Sequence, residues 1–416
     1  MLSVHQAESI ILKVTQPLVG QEIASLLQAQ QRVLARDISS PLDFPYWDNS
    51  AMDGYAVRYA DIKECHPDQP VTLDIATEIP AGTCPQAALL PGQAARIFTG
   101  AMMPQGTDTV VMQENTQRLG DRVQIFQCPQ SQAFVRQRGA YYQAGTPILR
   151  QGIVLTPPDI AILATVQCTD IPVYRRPVVA ILSTGNELIA PDQPLQPGQI
   201  VDSNRYALAA LVQATGAEVR LLNPVGDQPA ELKAAITEAI SIADIVISSG
   251  GVSVGDYDYV DQVLAELNAD IHVRAVAVKP GKPLTVATFS DQRSHQPILY
   301  FGLPGNPVSA LVSFWRFVQP ALRKLSGQRH HWGPIFVEAK SRQTLPSGSQ
   351  RETYLWGQLT LKSGQYEFSL AGGSHSSGNL MNLAQTNGLA VLPIDHPPIE
   401  AGETIQVMQV GTVGNA

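Results

Sequence analysis

Three observations predict a multidomain α/β plus β protein. The 416 residues are too many for one core at ~100 to 200 residues per domain. Strand and helix patterns alternate between residues 177 and 328, and only strand-like runs follow Trp332. The expected architecture is a central three-layer α/β domain with a mainly parallel sheet, an inserted small β domain, a discontinuous N-terminal domain and a C-terminal β-barrel-like domain. The expected boundaries are 1–45 with 140–176 for the discontinuous N-terminal domain, 46–139 for the inserted β domain, 177–328 for the α/β domain and 329–416 for the C-terminal domain.

In chain order, apolar residues at three- and four-residue spacing predict helices over Val4 to Thr15 and Glu22 to Leu34. The loop YWDNSAMDGYAV then leads into short β-like runs, AVRYA, VTLDIA, AARIFTG, DTVVMQ and RVQIFQ, separated by Gly, Pro and Asp. The stretch GAYYQAGTPILRQGIVLTPPDIAILATV reads as a hairpin and a helix capped near Thr156, returning the chain to the opening helices.

From Pro177 the period changes. VVAIL is a buried strand followed by the loop STGNEL, and a helix is predicted from Arg205 to Thr215 with a cap among Asp202, Ser203 and Asn204. The strand EVRLL precedes a helix over Ala230 to Ala243, whose Leu232, Ile236 and Ile240 share one face. DIVIS then ends at Gly250-Gly251, a helix spans Asp258 to Leu267, and HVRAVAV, LTVATF and ILYFG are extended. The last helix follows GLPGNP with the stripe Leu311, Trp315, Val318 and Leu322; beyond it IFVEAK, TYLWGQLTL, YEFSL, LAVLP and TIQVMQV are spaced like barrel strands. His330 and His331 fall between helix and barrel as a solvated linker pair.

Composition narrows the function. A formal net charge of -8 without a basic arm disfavours nucleic acid and anionic membrane surfaces as partners. Cys65, Cys84, Cys128 and Cys168 form no C-x-x-C pair, which argues against a zinc site or disulfide framework and for a reducing cytoplasm. No run approaches the ~18 to 20 apolar residues of a membrane helix.

Ligands of an open α/β sheet sit at the carboxyl ends of its strands, and the polar clusters fall there. Asp48-Asn49-Ser50 with Asp53 form a loop that either caps the next element or offers polar groups to a ligand. Glu187 in STGNE is either a cap or a crevice carboxylate. In SSGGVSVGDYD, Ser249, Gly250, Gly251, Ser253 and Gly255 allow backbone N–H groups to converge on an anion. Asp256 and Asp258 would repel a bare phosphate unless a hard cation such as Mg²⁺ bridges them. No P-loop and no G-x-G-x-x-G is present. KPGKP holds Lys279 and Lys282 in a rigid turn as phosphate ligands or ordinary surface lysines, and in GLPGNP the residues Pro304 and Pro307 rigidify a strand-to-helix loop.

With these motifs in family order, DNSAMDGYAVR at 48–58, FTGA at 98–101, STGNEL at 183–188, VDSN at 201–204, SGGVSVGDYDYV at 249–260, KPGKP at 279–283 and GLPGNPVSA at 302–310, the chain resembles the molybdopterin molybdenumtransferases of MoeA type, related to the E domain of gephyrin. The resemblance covers nearly the whole chain. It implies that adenylylated molybdopterin binds, its dithiolene sulfurs take molybdenum from molybdate, and hydrolysis of the adenylyl group with Mg²⁺ releases AMP and molybdenum cofactor. It implies four domains and a homodimer whose site is completed across subunits, and it points to the upstream adenylyltransferase and molybdoenzyme chaperones as partners. Carried over by position, Asp53 and Thr99 are the cross-subunit contributors. Glu187, Asp227 and Asp258, with Asp256, are the acidic residues for Mg²⁺ and pyrophosphate; Lys279, Lys282 and Arg351 are basic ligands, and Pro304 and Pro307 shape the site.

The chain departs from the family pattern at Gly139-Ala140-Tyr141, where an acidic pair is common, at Gln228, where a second Asp is common, and at Trp356, where another arginine is usual. Two alternatives share the α/β domain: the adenylyltransferase that acts one step earlier, and a non-catalytic gephyrin-like scaffold.

Overall fold

The computed structural model describes residues 1–226, 228–250, 259–290 and 296–415. The chain divides into two compact units, one formed by Met1–Arg36, Gln151–Ile160 and Asp170–Ala416, the other by Asp37–Arg150 and Ala161–Thr169.

The smaller unit is built on a six-stranded sheet in the order Thr109–Met112, Gly54–Val57, Gln93–Ile97, Val71–Ile79, Arg122–Ile125, Thr116–Leu119. Successive strand residues point to opposite faces, so Tyr55 and Val57 enter one apolar cluster with Leu73, Val111 and Val123, while Ala56 enters another with Ile79, Ile97 and Val110.

The larger unit opens with helix α1 (Val4–Val14), whose Ser3 caps the Gln6 amide and whose Val4, Ala7 and Ile11 are buried. The predicted second helix over Glu22 to Leu34 does not form. Gln21–Ala24 is instead a strand paired with Ile171–Tyr174 and is followed by turns. Ile23 and Leu27 of the apolar spacing are exposed while Ala24, Ala29, Val33 and Leu34 are buried, so strand pairing overrides the helical pattern.

The central sheet comprises β1 (Val178–Ser183), β2 (Glu218–Leu221), β3 (Ile245–Ser249), β4 (Asp270–Ala275), β5 (Pro283–Phe289) and β6 (Ile298–Leu303), in the order β2-β1-β3-β6-β5-β4. Strands β2, β1, β3 and β6 are parallel, whereas β5 runs antiparallel to both of its neighbours, β6 and β4. The antiparallel edge follows from the connections 276–282 and 290–297, both shorter than the roughly dozen residues of a parallel crossover. Helices α2 (Ser203–Ala214), α3 (Pro229–Ile242) and α4 (Tyr259–Glu266) cover the sheet. Gln228, the departure noted above, is the N-cap of α3 and makes no side-chain cap bond. The predicted last helix is α5 (Pro307–Ser313), continued by a π-helical turn at Phe314–Val318 into α6 (Gln319–Leu325).

The C-terminal strands β7 (Ile335–Ser341), β8 (Glu352–Lys362), β9 (Gln365–Leu370), β10 (Gly388–Leu392) and β11 (Thr404–Gln409) close into a five-stranded barrel through the pairings β8-β9, β9-β7, β7-β11, β11-β10 and β10-β8. Between β4 and β5 the chain leaves the central sheet, and the two-residue strand Val278–Lys279 pairs in parallel with the start of β8. Val179, Ile181, Phe301, Leu311, Tyr354 and Trp356 share one core cluster with α1.

Candidate functional site

The carboxyl ends of β1, β3 and β6 converge because their registers align Ser183 with Ser249 and Ser249 with Leu303. The loops leaving these three ends border a cavity of about 850 Å³, which is also lined by the Val278–Lys279 excursion, by β8 and by the loop after β9. That volume suits a small-molecule ligand.

On the β1 side, Thr184 donates its N–H to the Ser249 carbonyl at 3.0 Å, and Gly185 donates to the Val225 carbonyl at 3.1 Å. Gly185 has φ +150°, and a Cβ there would lie 2.8 Å from both carboxylate oxygens of Glu187. The glycine thus lets the Glu187 carboxylate fold back over the backbone at the cavity. No helix begins at Glu187: a turn and the short strand Leu188–Ile189 follow, so the capping alternative drops away.

Helix α2 starts at the same rim. Asp202 is its N-cap, accepting the Arg205 N–H on Oδ1 at 3.2 Å. Asn204 donates from Nδ2 to Ser249 Oγ and to the Gly305 carbonyl, both at 2.8 Å, and so ties the ends of β3 and β6 together. At the end of β3, Gly250 has φ +96°, and a Cβ there would approach the Thr184 carbonyl to 2.3 Å. Pro304 and Pro307 line the cavity, and Pro307 occupies the first turn of α5. Asn306 reaches Ser377 Oγ at 3.1 Å, anchoring the loop after β9.

Lys279 borders the cavity beside Pro280 and Gly281, its partner across the short ladder being Thr353. Arg351 lies on the same wall and donates from Nη1 to the Val278 carbonyl at 3.3 Å. Two cationic residues therefore border the same cavity as Glu187. Lys282 is half-buried and is not among the residues bordering the cavity; its carbonyl accepts the Val276 N–H at 3.0 Å.

Behind this wall, Tyr354 lies between Arg316 Nε at 3.1 Å and Glu352 Oε1 at 2.6 Å. Burial pushes its phenol well above the ordinary range, outweighing the opposing Arg316 charge. Burial acts to lower the Arg316 pKa, but bonds to Glu8 and Tyr354 outweigh it and hold the guanidinium firmly charged. Trp356 is buried against His375 with ring centroids 4.7 Å apart, and both border the cavity.

Asp53 and Thr99 belong to the smaller unit. There Asp53 Oδ1 accepts both the N–H and the hydroxyl of Thr99 at 2.7 Å, and the backbone bond first, then the hydroxyl, holds the carboxyl below its usual range. Asp227, Gly251, Ser253, Gly255, Asp256 and Asp258 lie outside the described residues. Glu187 is an exposed carboxylate at the cavity rim, an oxygen donor of the kind hard cations take. Among the described residues no group of three or more His, Cys, Asp or Glu side chains could hold a metal. The sequence reading missed Thr184, Asp202, Asn204 and the segment His375 to Ser377 as cavity residues. Asp202 and Asn204 stand in the VDSN motif, where the sequence marks them as candidate helix caps.

The chain matches the family models described as MoeA N-terminal region (domain I and II) over residues 2–166, probable molybdopterin binding domain over 180–324 and MoeA C-terminal region (domain IV) over 338–410. It is 57% identical over 413 residues to a molybdopterin molybdenumtransferase of Nostoc sp. (strain PCC 7120 / SAG 25.82 / UTEX 2576), covering 99% of this chain and 94% of that one. The identity is 36% over 411 residues to the protein of that name from Haemophilus influenzae, with 98% of each chain covered. The solved structure of a molybdopterin biosynthesis MoeA protein from Pyrococcus horikosii superposes with a TM-score of 0.83 at 28% identity, covering 99% of this chain and 100% of that one.

Proposed function

The chain belongs to the family of molybdopterin molybdenumtransferases, and from that premise we propose that it inserts molybdenum from molybdate into adenylylated molybdopterin, releasing AMP. The observation that carries this reading is the meeting of Glu187, Lys279, Arg351 and the Gly250 and Pro304-to-Pro307 loops around one cavity.

Cleaving a phosphoanhydride requires negative charge on its oxygens to be offset while water attacks phosphorus, and no covalent nucleophile is needed. Lys279 and Arg351 supply fixed positive charge for phosphate and molybdate oxygens, Arg351 through its planar fork. The rigid loop from Pro304 to Pro307 fixes the substrate's position relative to them. We assign Mg²⁺ to Glu187 together with Asp227, Asp256 and Asp258, where it would neutralise pyrophosphate oxygens. Ser249, Gly250, Gly251, Ser253 and Gly255 are assigned to substrate phosphates, and Lys282, which does not border the cavity, is assigned to the support of the turn that carries Lys279. We further propose a four-domain division, and a homodimer in which Asp53 and Thr99 of one subunit complete the site of the other. The four free cysteines suit a reducing compartment, and we place the reaction in the cytoplasm. The upstream adenylyltransferase and molybdoenzyme chaperones are the proposed protein partners.

The adenylyltransferase and scaffold readings are not favoured. The matches to the N-terminal and C-terminal regions, together with relatives covered end to end, support the transferase. The deciding experiment adds molybdate to the protein with adenylylated molybdopterin and no ATP. Stoichiometric AMP release is expected; an ATP requirement, or no AMP, would overturn the proposal.

A further inference from the structure

A buried ionic chain leads from α1 to the ladder that holds Lys279. Arg316 is 6% exposed, and its charge is offset by the Glu8 carboxylate of α1, to which both terminal nitrogens donate. Its Nε donates to the Tyr354 hydroxyl. A guanidinium only donates, so the Tyr354 oxygen accepts from Arg316 and its proton is directed to Glu352 Oε1. Glu352 and Tyr354 share one face of β8, being two residues apart on a strand. The Glu352 N–H in turn donates to the Ala277 carbonyl at 3.0 Å and opens the short ladder in which Val278 faces Glu352 and Lys279 faces Thr353.

The far end of the same excursion meets the same helix. Gly281 has φ +107°, and a Cβ there would lie 2.8 Å from Oγ of Ser313, the last residue of α5. Arg316 follows in the π-helical turn Phe314–Val318, a rare element that concentrates at functional sites. The segment from Ser313 to Arg316 therefore braces the Lys279 turn at two points: directly at Gly281 and, through Tyr354 and Glu352, at the ladder. A buried ion pair is weak evidence for stability, because apolar residues of similar volume often serve as well. What this chain adds is direction, since each donor has one acceptor and β8 has one place to begin.

We propose that Tyr354, held by Arg316, is a positioning residue for the anion. Its hydroxyl is spent on Arg316 and Glu352, and it acts by setting where Lys279 stands at the cavity. The inference rests on the assignment of Lys279 to phosphate and molybdate oxygens.

The test is a double-mutant cycle in the full chain, with molybdate affinity read by calorimetry and folding by thermal unfolding. Tyr354→Phe removes only the hydroxyl. It should weaken molybdate binding about fivefold or more in the parent background but less than about twofold in a Lys279→Met background, where the group it places is gone. A role confined to stability lowers the unfolding midpoint and leaves molybdate affinity unchanged, or changes it by the same factor in both backgrounds; either result overturns the proposal. Glu352→Gln keeps an oxygen for the Tyr354 hydroxyl and should lose less affinity than Glu352→Ala. That pair carries the test should Tyr354→Phe fail to fold, and equal losses, or none, overturn the proposal. Parent-like molybdate affinity in Lys279→Met removes the premise and the positioning role together. Should the coupling appear while molybdate releases no AMP from adenylylated molybdopterin, the proposed reaction fails and the positioning role stands.

Discussion

Both terminal nitrogens of Arg316 donate to the carboxylate of Glu8, at 2.8 and 2.9 Å, joining the first helix of the chain to the π-helical turn beside the barrel. Arg316 is almost fully buried, and the same guanidinium reaches the Tyr354 hydroxyl at the back of the cavity.

Glu8→Ala should therefore cost on the order of 3 kcal/mol of unfolding free energy, because it strands a buried guanidinium. Urea unfolding followed by far-UV circular dichroism reads the change. Glu8→Gln, which keeps one acceptor, should lose less, and an unshifted midpoint for Glu8→Ala would show that the pair contributes nothing.

Gly250→Ala should lower both stability and turnover. The positive φ costs an alanine about 1 kcal/mol or more, and its Cβ would press on the Thr184 carbonyl at 2.3 Å, moving the β1 and β3 loops apart. Thermal unfolding and AMP release measured on one preparation check this. Parent-like values for both would contradict the close approach.

Lys279→Met and Arg351→Met should each weaken molybdate binding by roughly tenfold or more, since hydrogen bonds to charged groups contribute about 1.5 to 3 kcal/mol. Calorimetric titration with molybdate at two salt concentrations is the measurement. Unaltered affinity in both variants would remove this wall from the anion site.

Asp53 should titrate below its ordinary value of 3.8, since Thr99 stabilises the ionised form. A depressed folded-state pKa adds stability above the unfolded-state value, and this is lost as pH falls through the folded-state value. Carbon NMR titration of the carboxyl should show Thr99→Val moving the Asp53 pKa upward while the backbone bond keeps part of the depression. A midpoint in the parent protein at or above the ordinary value would refute the assignment.

The parts legible in the sequence were those governed by short-range pattern: the alternation of VVAIL, DIVIS and ILYFG with helices, and the glycine- and proline-rich strand ends bearing Glu187, Gly250 and Pro304. The far wall was not legible, because Thr353 to Trp356 and His375 to Ser377 reach the cavity through pairings distant in sequence, Lys279 with Thr353 and Asn306 with Ser377. In the sequence Trp356 stands out only as a departure from an expected arginine. The segment from Glu22 to Leu34 misled for the converse reason: it has helical spacing, but a neighbouring strand competes for its backbone hydrogen bonds.

The excursion at Val278–Lys279 also bears on how the molecule can be dissected. Lys279 is held by a ladder whose other rail is the first stretch of the barrel, and Ala277 accepts the Glu352 N–H at 3.0 Å. A truncation placed after α6 would remove more than a terminal module. It would strip the backbone partners from the turn that carries Lys279 and leave a raw strand edge beside the cavity. The barrel thus clamps the turn that carries Lys279, and a shortened protein should be expected to lose that wall of the cavity before it loses the central sheet.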